Sequence, residues 1–165
     1  MFYVFFRHVQ VLRQEVGDDF EKPPGRAFRL FINGEIISAE DYNETYGSSL
    51  FIHYFLELPM GWSIAPTSEL NDHQDEQPHG ITQTCYINSQ NEIAHFGHPF
   101  CLDLLYDINR LDKNEDKLPK WPQILFEVIS LDHWSRCRTE GYGFINIPVH
   151  AGKYLRSSKI QSARS

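Results

Sequence analysis

The sequence predicts an all-β fold built as an antiparallel sandwich. Three features predict it. Apolar residues alternate in several short runs, no segment sustains a helical period, and Pro, Gly and Asn punctuate the gaps. At 165 residues the chain suits one domain with a substantial core.

The first run, "MFYVFF", is ended by Arg7 and His8. It lacks the charged leader and longer apolar core of a signal peptide. Residues 2–16 read as a strand or short helix outside the main domain. "GDDFEKPPG", residues 17–25, reads as a linker because charge, proline and glycine dominate it. In "FRLFINGEIISAE", Asn33-Gly34 separates two apolar runs, which predicts a two-residue hairpin. "SLFIHYFLEL" sets Leu50, Ile52, Tyr54, Leu56 and Leu58 against Phe51, His53, Phe55 and Glu57. Both rows are mostly apolar, so burial on both faces is expected. A short strand then leads into the long polar loop of "GWSIAPTSELNDHQDEQPHG".

"ITQTCYI" and "EIAHFGHPFCLDLLYDI" read as further strands, the second with Phe100, Leu102, Leu104 and Tyr106 on one side. "QILFEVISL" sets Ile124, Phe126 and Val128 against Leu125, Ile129 and Leu131. In "GYGFINIPVHAG", Phe144 to Val149 is a short strand. Pro148 belongs at an edge or strand end because it cannot donate to a ladder. Gly141 and Gly143, flanking Tyr142, suit positions where a Cβ would clash or φ must be positive, and read as a tight turn feeding that strand.

Twenty-two acids against fifteen Lys and Arg leave a net charge of −7, which gives no electrostatic reason to expect nucleic acid. Local basic candidates for an anionic surface are Arg136 with Arg138, and the tail residues Lys153, Arg156, Lys159 and Arg164. Cys85, Cys101 and Cys137 share no metal-type spacing, and their odd number favours reduced thiols over a disulfide framework. Cys85 and Cys101 sit in apolar strand patterns, the setting of inert core thiols. His95 and His98 form the closest histidine pair. Three apart on a strand, they point to opposite faces, and Gly97-His98-Pro99 reads as a turn.

Asp103 and Asp107 fall on one side of a strand, where a solvated face explains them better than acid–base chemistry. Asp112 to Asp116, "DKNED", reads as an exposed loop, and Asn43-Glu44-Thr45 is a glycosylation sequon in form only. No run reaches the ~18 apolar residues of a membrane-spanning helix. Neither a Gly-rich phosphate loop nor a nucleophile elbow is present. The expectation is a non-enzymatic protein without metal or cofactor.

The stretch from Trp121 to Val149, "WPQILFEVISLDHWSRCRTEGYGFINIPV", runs strand, loop with Asp and aromatic, Gly-containing return, strand. It resembles the final calcium-loop region of C2 domains. In that likeness the first loop aspartate falls on Ser130, the second on Asp132, and the later one on Arg138–Glu140. Calcium takes about six to eight oxygens, so one retained aspartate beside Arg136 and Arg138 implies no divalent site. Trp134, at the loop tip, joins Arg136 and Arg138 as the candidate contact for lipid or a partner.

"NGEIISAEDY", "LFIHYFLELPMGWSIAPT" and "WPQILFEVISLDHWSRCRTEGYGFINIPVHAG" together resemble the B9 domain, a C2-like module, along roughly residues 28–152. The residues that carry its motifs are Asn33, Gly34, Trp121, Pro122, Asp132, Arg136, Gly141, Tyr142, Gly143 and Pro148. The resemblance implies a C2-like sandwich with no enzymatic activity, and Tyr142 packed over a corner against Trp121 or Trp134. It also implies a place in the cytoplasm and cytoskeleton at the centrosome, basal body and ciliary transition zone. There the family assembles with other B9-domain proteins and transition-zone subunits into a membrane-associated barrier complex that supports ciliogenesis. The alternative is a calcium-independent lipid-binding module meeting anionic headgroups through Arg136 to Arg138 and the tail.

The expected organisation is residues 1–26 as N-terminal segment and linker, 27–152 as the B9 domain, and 153–165 as a disordered, basic tail. "KYLRSSKIQSARS" is polar and short of strand signals. The sandwich is therefore expected to lack one or two closing strands and to expose an unpaired edge.

Overall fold

Period-two alternation sends every second side chain to one face, and two sheets bury their matching faces against each other. The computed structural model describes residues 2–12, 27–40, 49–65, 79–87, 92–110, 120–159 and 161–162. In chain order the strands are β1 (Phe2–Leu12), β2 (Ala27–Ala39), β3 (Ser49–Glu57), β4 (Trp62–Ile64), β5 (His79–Ile81) and β6 (Cys85–Tyr86). They continue with β7 (Ala94–Asp107), β8 (Gln123–Leu131), β9 (Cys137–Asn146), β10 (Gly152–Ser158) and β11 (Gln161–Ser162). One sheet has the order β10-β1-β2-β7-β4, and the other runs β11-β9-β8-β3-β5 with β6 also paired to β3. All pairings between described strands are antiparallel.

The core lies between the sheets. Val4 and Phe6 of β1, Leu30, Ile32 and Ile36 of β2 and Leu104 of β7 face Leu50, Ile52 and Leu56 of β3 and Ile124, Phe126 and Val128 of β8. Fully burying such a side chain is worth about 1.5–3 kcal/mol relative to exposing it. β8 shows the logic most plainly, alternating buried and half-buried along its whole length. On β7, Phe100, Leu104 and Tyr106 are buried and Leu102 packs on the core, as the alternation predicts.

Several expectations are corrected. Residues 2–12 do not lie outside the domain, because β1 is an interior strand paired to β2 on one side and β10 on the other. Asn33-Gly34 is no hairpin turn, since β2 runs straight through both residues. Gly34 is there because Phe100 is packed against it: a Cβ would stand 2.1 Å from the ring's Cζ. Gly97-His98-Pro99 is not a turn. Gly97, at φ +57, accompanies a register shift in β7, after which His98 pairs with Ile36 and Pro99 with Glu35.

The outward row of β3 is half-buried where burial on both faces was expected. Of "ITQTCYI", only Ile81 and Cys85–Tyr86 are in strands. Cys101 is exposed, because β7 gives the interior only the row containing Phe100 and Leu104.

The tail expected to be disordered forms β10 and β11, which pair with β1 and β9. β10 escapes a hydrophobicity reading because it is an edge strand with mostly exposed side chains, held by its backbone ladder. The residues after β9, expected to add no strand, thus contribute β10 and β11. The expected linker at 17–25, the sequon at 43–45, the acidic loop at 112–116, most of the polar loop and Arg164 lie outside the described residues.

Asp103 and Asp107 do not form an acid–base pair. Asp103 accepts the Nε–H of Arg29 at 2.8 Å, and Asp107 accepts the backbone and side-chain N–H groups of Asn109 at 3.0 Å each.

Candidate interaction surface

The loop from β8 to β9 is built around one carboxylate. Asp132 accepts the backbone N–H groups of Trp134 and Arg136 at 2.9 Å each, and the Arg136 Nε–H at 2.6 Å. Its own N–H donates to the Arg136 carbonyl at 3.2 Å, and Ser135 donates back to the Asp132 carbonyl at 2.9 Å. The reversal falls on Ser135, at φ +60, a left-handed conformation that local side-chain hydrogen bonding helps to hold. The Arg136 backbone N–H, followed by its side chain and the Trp134 N–H, holds the Asp132 carboxyl below its ordinary value.

The positions that the C2 likeness aligns with calcium ligands are otherwise engaged. Asp132 is filled by its own arginine and two amides. Ser130 is buried and donates to Glu140 Oε1 at 2.7 Å. Among the described residues, no three His, Cys, Asp or Glu side chains gather in a metal-binding group. Trp134 is 68% exposed. The Arg136 guanidinium lies 4.7 Å from its ring centroid, and His133 packs against the same ring. Arg138 is an exposed residue of β9.

The glycine motif works differently from the expectation. Gly141 and Gly143 lie within β9, and neither has positive φ. They pair with Val128 and Phe126, the inward row of β8, next to a register shift. The turn sits earlier, at Asp132–Arg136. Tyr142 packs over no corner: it lies opposite Glu127 and is 52% exposed.

Trp121 instead joins an aromatic cluster at one end of the sandwich, 4.9 Å from Trp62 and stacked on Phe28 at 6.2 Å. Trp62 donates its indole N–H to the Lys120 carbonyl at 3.0 Å, whereas the buried Trp121 Nε1 has no partner among the described residues. Pro122 and Pro148 are buried, and Pro122 accepts the Ile147 N–H at 3.3 Å just before the second proline.

A feature that sequence reasoning missed is the outer face of the β9-β8-β3-β5 sheet. Phe144 is 54% and Ile81 57% exposed, and Phe51, Phe55, Leu125 and Ile129 are half-buried. Glu127, with His53 Nδ1 at 3.7 Å and the Thr139 hydroxyl at 2.8 Å, is the acid among them. The signal was legible: the outward rows of β3 and β8 carry Phe51, Phe55, Leu125 and Ile129 besides their polar residues, and a two-sheet sandwich can bury only one row of each strand.

A cavity of about 120 Å³ lies at the opening between the sheets, lined by Tyr54, Leu56, His79, Phe100, Cys101, Leu102 and Ile124. Burial pushes the thiols of Cys85 and Cys101 up, and the Asp103 charge adds to the effect at Cys101. Neither is a poised nucleophile.

Comparison with known proteins places these features in context. The family model described as ciliary basal body-associated B9 protein (B9-C2) matches residues 30–165. The chain is 38% identical over 154 residues to the human Tectonic-like complex member MKS1, covering 92% of this chain and 25% of that protein. The rat protein of that name is 36% identical over the same coverage. Human B9 domain-containing protein 2 is 26% identical over 125 residues, 76% of this chain and 59% of that protein. The chain thus spans a quarter of the length of the first of these relatives.

Proposed function

The chain belongs to the B9-C2 family of ciliary basal body-associated proteins, and from that premise we propose that it is a non-enzymatic scaffold subunit of a B9-protein complex. Its place is the cytoplasm and cytoskeleton at the basal body and transition zone of the cilium, and the centrosome. Its partners are other B9-domain proteins and transition-zone subunits. Its role there is to support cilium assembly and the membrane diffusion barrier. The observation that carries this reading is the exposed aromatic and aliphatic face around Phe144, Tyr142 and Ile81. Contiguous apolar surface of that kind marks interaction sites.

A second reading, a calcium-independent lipid-binding module, draws support from Trp134 at 68% exposure beside Arg136 and Arg138. It is the weaker one, because Asp132 already pairs the Arg136 guanidinium and the chain carries a net charge of −7. The test is capture of B9 domain-containing protein 2 by this chain at low and at high salt, run beside binding to anionic vesicles. Salt-resistant capture supports the scaffold, since apolar contacts are little screened. Vesicle binding that collapses with salt, without capture, supports the lipid module.

A further inference from the structure

The outer face of the β9-β8-β3-β5 sheet is an ordered grid. One row across it reads Phe144, Leu125, Phe55, His79. The next reads Tyr142, Glu127, His53, Ile81, and the one beyond reads Thr139, Ile129, Phe51. The flanking rows are thus apolar except for His79 and Thr139 at their ends, and the central row holds one acid, Glu127, and one base, His53. Glu127 and His53 stand on adjacent strands, on either side of the midline between β8 and β3.

We infer that this face docks on the same face of a second copy of the chain. The two copies are related by a two-fold axis that runs along the β8–β3 midline between the two sheets. The inference rests on the reading of this face as a protein contact. That axis lays β8 of one copy over β3 of the other. Glu127 then faces the second copy's His53, twice by symmetry, while Leu125 faces Phe55 and Ile129 faces Phe51. A two-fold axis running across the strands would set Glu127 over Glu127 and His53 over His53, and like pairs facing each other are disfavoured. Self-complementarity is what an isologous contact requires, and the acid and base within the central row select between the two geometries.

The scale also follows. Four strands about 4.8 Å apart, with outward residues about 6.8 Å apart along each, give a footprint roughly 20 Å on a side. This is small for a specific interface, so association is expected in the micromolar range or weaker. Each copy carries −7, and salt screens that repulsion. Association therefore holds or strengthens as salt rises.

Sedimentation of the full chain over roughly two decades of micromolar concentration tests the inference, with circular dichroism confirming that each variant is folded. A dimer fraction that grows with concentration is expected. Phe144→Glu should weaken it at least about tenfold by placing a charge in the apolar row. Glu127→Lys should weaken it too, and His53→Glu combined with Glu127→Lys should restore it, because the reversed pair is again complementary across the axis.

Monomer at every concentration overturns the inference, as does a dimer indifferent to Phe144→Glu. If the chain stays monomeric but captures B9 domain-containing protein 2 in a Phe144-dependent way, the second copy is the wrong occupant and the scaffold reading stands. If it holds neither, both fall. Phe144-dependent binding to vesicles without self-association overturns the inference in favour of a lipid surface.

Discussion

Gly34 of β2 lies opposite Phe100 of β7, and the aromatic ring occupies the space a side chain at position 34 would need. Phe100 in turn meets Phe6 edge-on at 6.2 Å and Tyr54 at 6.0 Å, so the ring has little room to retreat. Gly34→Ala should therefore destabilise the fold by about 1–3 kcal/mol, the usual cost of overpacking a core. Chemical denaturation measures it. A change below about 0.5 kcal/mol, the range of surface substitutions, would show that the ring is free to move.

The Asn33-Gly34 pair also shows where sequence reading fails. It is a strong hairpin signal when only neighbours along the chain are considered. The reason for the glycine is sixty-six positions away in Phe100, and no local pattern carries that information. β8 was legible because its alternation is complete and its partners agree with it. β10 was not, because an edge strand held by backbone bonds needs no apolar row. β1 was misplaced outside the domain because Arg7 and His8 interrupt its pattern. The loop that holds Asp132 and Trp134 was legible as a loop between two strands. The exposed face was overlooked because an apolar outward row reads as core until the second sheet is located.

The Asp132 carboxyl is held below its ordinary value near 3.8 by hydrogen bonds that exist only in the folded loop. A depressed folded pKa gives stability that is present above the unfolded value and lost as pH falls through the folded one. Wild-type and Asp132→Asn proteins should therefore differ in melting temperature near neutral pH and converge as pH drops below the ordinary carboxylate range, about 4. A gap that persists unchanged at low pH would assign the loss to something other than the carboxylate charge.

The two clustered tryptophans should respond differently to loss of their indole N–H. Trp62 donates to the Lys120 carbonyl, and Trp121 donates to no described residue. Trp62→Phe breaks a bond and leaves a carbonyl to be satisfied. Trp121→Phe removes a buried donor that has no partner among the described residues and keeps an aromatic ring against Phe28 and Trp62. Trp62→Phe should cost about 1 kcal/mol more than Trp121→Phe. Equal losses in urea titrations would mean that ring volume, not hydrogen bonding, dominates this cluster.

The central claim is that this chain joins the ciliary base through the outer face of the β9-β8-β3-β5 sheet. The most direct measurement is the fluorescence of the tagged chain at that site in ciliated cells, wild type against Phe144→Glu, normalised to expression. The account predicts a focus at the base of the cilium for the wild type and its loss for a variant expressed at the same level. Equal foci for both proteins would contradict the claim for this face, and no focus for the wild type would contradict the scaffold assignment of this chain.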